Sequence, residues 1–184
     1  IDTFCSDDLR FIFSNTTEAG IEYVPEKYTP GRMQQSFPAK ITSLFYERFK
    51  YGKKGLLVIP CELIDKNGIT LKKYMIQYAA EWALGADYID YIENANTFCC
   101  TLVDRIVPGR IRDPQEYARL EEENGYCDPL TDVGEVFGVW NIEGPAWLED
   151  KLPFKKAGVN CIVVPDVTPY KKRKVRILNG AHTG

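Results

Sequence analysis

The sequence has a single histidine among its 184 residues and no Cys-x-x-Cys pair. A mixed Cys/His zinc site is therefore short of donors, and no metal is expected. No apolar run approaches the roughly 18 residues a membrane helix needs; the longest lies near residues 55–61. The opening Ile1-Asp2-Thr3-Phe4 has neither the basic start nor the apolar stretch of a secretory leader. Lysine and arginine total 23 against 26 aspartates and glutamates, a net charge of −3. That balance gives no general pull toward nucleic acid or an anionic membrane, and neither partner is expected. There is no Gly-x-Gly, no Gly-x-Ser-x-Gly and no P-loop, which sets aside the simplest phosphate-cradling and serine-nucleophile readings.

What is present suits a globular fold. Hydrophobic residues make up 45% and charged residues 27%, enough to bury a core and to exclude long disorder. The length implies one domain, or one plus part of another. Six cysteines (Cys5, Cys61, Cys99, Cys100, Cys127, Cys161) are widely and irregularly spaced, unlike a small stapled scaffold. Reduced, mostly buried thiols in a cytoplasmic protein are expected. The first residue is not Met and the last six carry no terminating pattern, so a piece of a longer protein is expected.

Strand and helix signals alternate along the chain. Residues 9–14 read as a short strand, followed by a polar turn and a proline-containing loop over 21–38. Residues 39–49 place Ile41, Leu44, Phe45 and Phe49 at helical spacing. Residues 56–59 form a continuous apolar run closed by Pro60, as in a buried parallel strand. Over 69–84, Leu71, Tyr74, Met75, Tyr78, Ala79 and Trp82 make one apolar stripe, the clearest helix in the chain. A strand is expected at 98–107 and a helix from Asp113-Pro114 to about Glu123, with an N-cap followed by proline. Two more strands are read at 136–142 and 160–164, and a last helix at 170–182. This order predicts an α/β fold with a mixed sheet. A boundary falls near Pro165 and Pro169.

In open α/β sheets ligands gather beyond the carboxyl ends of strands. Two polar loops sit there: Asn15-Thr16-Thr17-Glu18 and residues 62–68. Each either meets a ligand or caps the element that follows. The sharpest cluster lies at the end. On an α-helix at about 100° per residue, Lys174, His182 and Asn179 fall at about 0°, 80° and 140°, one polar side. Gly180 between them leaves room for a close approach. A buried lysine can serve as a general base near neutral pH, and an amide and an imidazole can hold an oxygen whose charge changes. The bland alternative is a basic helix start with a capping Asn and a surface His. Tyr170 and Lys174 also match the Tyr-x-x-x-Lys pair of short-chain dehydrogenases. Residues 156–158, however, are Lys-Ala-Gly where a catalytic Ser is needed.

Lys174-x4-Asn179-Gly180-x-His182 resembles the signature of the polyol-specific long-chain dehydrogenases/reductases, the mannitol dehydrogenase family. Residues 98–108 resemble its segment ending V-D-R-I-x-P. Residues 61–68 resemble its C-D/E-x-I-x-x-N-G loop, and Thr17-Glu18-Ala19-Gly20 its T-E-x-G turn. The four motifs occur in the family's order across nearly the whole chain. Residues 14–20, 36–40 and 59–64 look most like members that interconvert D-tagaturonate and D-altronate. The resemblance implies NAD as cofactor, a small sugar-acid substrate and hydride transfer without a metal. Fructuronate reduction and mannitol oxidation are the alternatives within the family, and a non-catalytic binding module is the alternative outside it. By resemblance Lys174 is the acid/base, and Asn179 and His182 polarise the reacting oxygen. Asp104 and Arg105 line the substrate pocket, Lys171 suits a substrate carboxylate, and Asn15, Thr16, Thr17, Glu62 and Asn67 flank the cofactor. Two departures stand against mannitol: Leu63 replaces a second oxyanion-binding Asn, and Lys171 replaces an acidic residue three before the lysine. The glycine-rich dinucleotide turn is absent. The expected organisation is therefore the later part of a Rossmann-type domain (1–168) and the first helix of a helical C-terminal domain (169–184).

Overall fold

The computed structural model describes residues 1–17 and 19–179, the last three of these by backbone alone. In chain order the elements are β1 (Phe11–Ser14), α1 (Phe37–Lys50), β2 (Leu57–Pro60), α2 (Asn67–Glu81), α3 (Ala86–Asp90), β3 (Thr97–Phe98), β4 (Cys100–Asp104) and β5 (Gly109–Arg110). They continue with α4 (Pro114–Asn124), β6 (Asp132–Val133), β7 (Val139–Glu143), α5 (Leu148–Lys151), β8 (Cys161–Val164) and α6 (Thr168–Arg173). Single π-helical turns follow α3 (Tyr91–Ala95) and α6 (Lys174–Asn179).

The strands fall into a parallel group, a mixed group and a short antiparallel β5–β6 ladder. β1, β2 and β3 are parallel, with β2 in the centre. One residue further on, β4 leaves this group and pairs antiparallel with β7, which in turn pairs parallel with β8. The mixed sheet expected from short connections is what the chain forms.

Helices α1 and α4 follow their capping cues. Ser36 accepts from the Ala39 amide at the start of α1, with Pro38 in the first turn. Asp113 does the same for α4 through the Gln115 amide at 2.9 Å, and Gly125 closes that helix at φ 74°. The apolar faces of α1 and α2 bury Ile41, Phe45, Leu71, Met75 and Ala79 against Val58 and Leu56. On the opposite face Ile59, Cys99, Ile142 and Leu148 form a second core, and α6 covers a third around Cys100, Leu102, Val164 and Val167.

Most boundaries shift by one to three residues, and the larger differences in the strands have a reason in pairing. The strand expected at 98–107 breaks at Cys99, where the partner strands change, and stops at Asp104. The strand expected from residue 136 starts at Val139, which pairs with Asp104; beyond that pair the regular ladder lapses, with one Glu135 N to Ile106 carbonyl bond, until β5 and β6 pair at Gly109 and Val133. The carbonyls of Val136 and Phe137 instead accept from the Arg105 guanidinium. The short elements α3, β5, β6 and α5 carry too few residues for a periodic signal.

Gly68 shows why the start of α2 sits so close to the sheet. A Cβ there would overlap the Cys99 carbonyl oxygen, which is backbone and cannot turn away. Gly68→Ala should therefore destabilise the protein by about 1–3 kcal/mol, read as a lowered thermal midpoint. Gly134→Ala, whose Cβ would meet only Val107 Cγ2 at 3.9 Å, should leave the midpoint nearly unchanged.

Candidate functional site

The carboxyl ends of β1, β2 and β4 lie along one edge of the sheet, and the loop after β2 (residues 61–66) runs across it. Asn67 fixes this loop. It is fully buried, and its Nδ2 donates to the carbonyls of Pro60 (2.9 Å) and Glu62 (3.1 Å) and to Thr101 Oγ1 (3.1 Å). Its Oδ1 accepts from the amides of Gly68 and Thr101, both at 2.9 Å. One side chain thus ties the end of β2, the loop, the start of α2 and β4 together. Its amide atoms are already occupied by the protein, so its contribution to a site is to position rather than to touch a ligand.

Glu62 is also buried. Its carboxylate accepts from Ser14 Oγ (3.0 Å), Thr16 N (3.2 Å) and Thr16 Oγ1 (3.0 Å). It therefore anchors the turn after β1, leaving Asn15, Thr16 and Thr17 exposed at the strand end. Asn15 lines a recess of about 340 Å³ with Phe13, Ser14, Cys61, Val103 and Trp140. The indole Nε1 of Trp140 is buried without a hydrogen-bond partner among the described residues. Burial pushes the Cys61 thiol up to about 11.

The second half of the site hangs on α6. Lys174 Nζ lies 3.2 Å from Asp104 Oδ1, with both side chains more than four-fifths buried. Lys171 pairs with Asp65 at 2.8 Å, out in solvent. Lys66, in the left-handed region at φ 47°, reaches Glu143 at 2.9 Å and Asp166 at 3.4 Å. These pairs join α6 and the turn after it to the loop and to the end of β4, and join the loop to β7 and to the head of α6. The hydrogen bond from Lys171 holds the Asp65 carboxyl below its ordinary value, and the one to Glu143 raises Lys66. Hydrogen bonds from Thr168, with Lys66 in support, bring Asp166 down to about 2.

Lys174, Asp104 and the 61–68 loop therefore converge. Leu63, Leu102 and Val103 line a recess with Lys174, and Val103 continues into the recess at Asn15 and Cys61. Lys171 is at hand, but its charge is spent on Asp65. Arg105 points away along the exposed segment before β7. The backbone of Asn179 is one π-helical turn beyond Lys174. The five-residue step thus returns it closer to the same side than the 140° of an α-helix. Its side chain, together with Glu18, Gly180 and His182, lies outside the described residues. The sequence reading missed Thr101, Trp140, Glu143 and Asp166. No local signal marked Lys66, Glu143 and Asp166 as a group, since their pairing spans 77 and 100 residues.

The family model described as the mannitol dehydrogenase Rossmann domain matches residues 1–156. The chain belongs to the mannitol dehydrogenase family. Altronate oxidoreductase of Cronobacter sakazakii is 50% identical over 180 residues, covering 96% of this chain and 37% of that protein. Altronate oxidoreductase of Enterobacter sp. (strain 638) is 49% identical over the same span. The chain thus spans about 37% of the length of these curated relatives. Among solved structures, the Pseudomonas fluorescens mannitol 2-dehydrogenase ternary complex with NAD and D-mannitol superposes with a TM-score of 0.71 at 24% identity, over 98% of this chain and 38% of that one. A D-sorbitol dehydrogenase in substrate-free form gives 0.73 at 23%, over 98% and 39%. At that identity the two structures establish the fold, a mannitol dehydrogenase-type Rossmann domain.

In this member of the mannitol dehydrogenase family, the charge of Asp166 stabilises the fold above the ordinary carboxylate value of 3.8, and that contribution fades as pH falls toward about 2. Asp166→Ala should unfold at a lower temperature at pH 7, with the gap to the unmodified protein narrowing between about pH 4 and 2. Asn67→Ala should cost at least about 1–3 kcal/mol at any pH, since it strands buried backbone groups.

Proposed function

We propose that this chain is the site-bearing part of an oxidoreductase that interconverts D-altronate and D-tagaturonate with NAD. The observation that carries the reading is the Lys174–Asp104 pair at 3.2 Å, part-buried beside the loop of residues 61–68. The half-identity to altronate oxidoreductases over 96% of the chain supports the choice of substrate. Residues 1–168 serve as the later part of the dinucleotide-binding domain, and residues 169–184 open the substrate domain of a longer polypeptide.

The residues present suit one end of a dinucleotide. The recess at Asn15 lies at the carboxyl ends of parallel strands and is walled by Phe13 and Trp140 with ring centroids 5.9 Å apart. Asn15, Thr16 and Thr17 would hold the cofactor there, with Glu62 and Asn67 keeping their backbone in place. NAD supplies the hydride acceptor when bound.

The protein's own part is proton handling. In the oxidative direction the Lys174 amine takes the proton of the substrate hydroxyl; in the reductive direction the ammonium returns it to the alkoxide. Asp104 balances the charge that appears on Lys174 and holds the side chain toward the recess. Asn179 and His182 take the role of donors to the reacting oxygen. Leu63 is exposed at the mouth and offers no second amide there, which disfavours mannitol.

The full-length protein should form NADH from NAD in the presence of D-altronate, and more slowly or not at all with D-mannitol; fructuronate completes the panel. Lys174→Ala should lower kcat by about 10²–10⁴-fold, with partial recovery on addition of small amines. Unchanged turnover in that variant would remove Lys174 from the mechanism.

A further inference from the structure

A third recess opens on the other side of Lys174. It lies between the sheet face of β7 and β8 and the helix α6, and has a volume of about 530 Å³, within the range of small-molecule pockets. Leu102, Asn141 and Ile162 are cross-strand neighbours and form its floor. Tyr170, Arg173 and Lys174 come down from α6. It shares Leu102 and Lys174 with the recess at the 61–66 loop, so the two are continuous at the lysine.

Asn141 is what marks this recess as a site. Its side chain is 98% buried, and its Oδ1 has no hydrogen-bond partner among the described residues. A buried amide oxygen without a donor is disfavoured. On a strand whose neighbouring floor positions are Leu102 and Ile162, an apolar residue would fit without that penalty. A ligand hydroxyl entering over the floor, met by a turn of the Asn141 amide toward the recess, would supply the missing donor. The charge at the wall is one-signed: Arg173 and Lys174 line the recess and no carboxylate does. The Arg173 guanidinium lies 5.8 Å from the Tyr170 ring, a stacking that steadies a planar fork while leaving its N–H groups available. Arg173 makes no ion pair among the described residues, unlike Lys171 and Lys174 beside it.

We infer that this recess receives the carboxylate-bearing end of a polyhydroxy-acid substrate, with Arg173 on the carboxylate and Asn141 accepting from a hydroxyl. The inference rests on the proposed sugar-acid activity and adds to it the residues that select an acid over a neutral polyol. Arginine suits the task because its fork can bond both carboxylate oxygens at once. Lys174, shared between the recesses, then stands beyond the carboxylate end, toward the part of the molecule that carries the hydroxyl to be oxidised.

The test compares D-altronate with D-altritol, the same carbon chain carrying a hydroxymethyl group in place of the carboxylate. Binding to the full-length protein in the presence of NAD is measured by calorimetry, beside turnover. Arg173→Gln should lower the altronate-to-altritol affinity ratio by about 10–100-fold, and Arg173→Lys should restore part of it. Asn141→Leu should weaken both ligands together. Arg173 is solvent-exposed, so its variants fold even if Asn141→Leu does not. An unmodified protein that oxidises altronate, with an Arg173→Gln variant keeping the full ratio, overturns the recess while the proposed activity stands. An unmodified protein that forms no NADH from altronate and binds neither ligand removes the activity and the recess together.

Discussion

Asn67 is the constraint on which the candidate site depends. A loop that crosses the end of a sheet has backbone groups with no strand partner, and burying them unpaired would be prohibitive. Asn67 answers this with one amide: its nitrogen gathers carbonyls from β2 and the loop, and its oxygen receives the amides that begin α2 and continue β4. Gly68 complements it, since the same approach that makes these bonds leaves no volume for a side chain against Cys99. The Asn-Gly pair is thus a joint rather than a turn. It sets where Glu62, Leu63 and Lys66 stand, and through Glu62 where the end of β1 stands.

Charge then fastens α6 onto that frame. A helix of six residues followed by a π turn has little intrinsic stability of its own. Here three lysines of the loop, the helix and the turn after it (Lys66, Lys171, Lys174) find carboxylates on the loop, on β4 and β7, and at the head of the helix. The exposed pairs contribute modestly. The part-buried pair of Lys174 with Asp104 lies where the recess at the 61–66 loop and the recess over Asn141 meet, both of which Lys174 lines.

Much of the fold was legible because it is written in local periodicity. The stripe from Leu71 to Trp82 gave α2, the Asp113-Pro114 start gave α4, and the apolar run before Pro60 gave the central strand. The convergence of Lys174, Asp104 and the 61–68 loop was legible only through resemblance, since no spacing rule joins residues so far apart in the chain. Asn141 was illegible for a different reason. On β7 the alternation Val139, Asn141, Glu143 reads as a solvent-facing side, and only the presence of α6 over it turns an ordinary polar position into a buried one. Glu62 and Asn67 were read as flanking a ligand, and the geometry shows their polar atoms taken up in holding the loops in place.

The strand running from Thr97 to Asp104 belongs to two ladders in succession, parallel with β2 and then antiparallel with β7, with Cys99 as the one-residue changeover. Side chains on a strand point alternately up and down. An insertion or deletion at Cys99 would leave Phe98 seated in the first ladder while inverting all that follows. Asp104 would then face the Phe13 and Trp140 side, and Val103 would meet the lysine. The changeover residue therefore acts as the phase setter for the carboxylate, and tolerance to length change at that single position should be the lowest in the sheet.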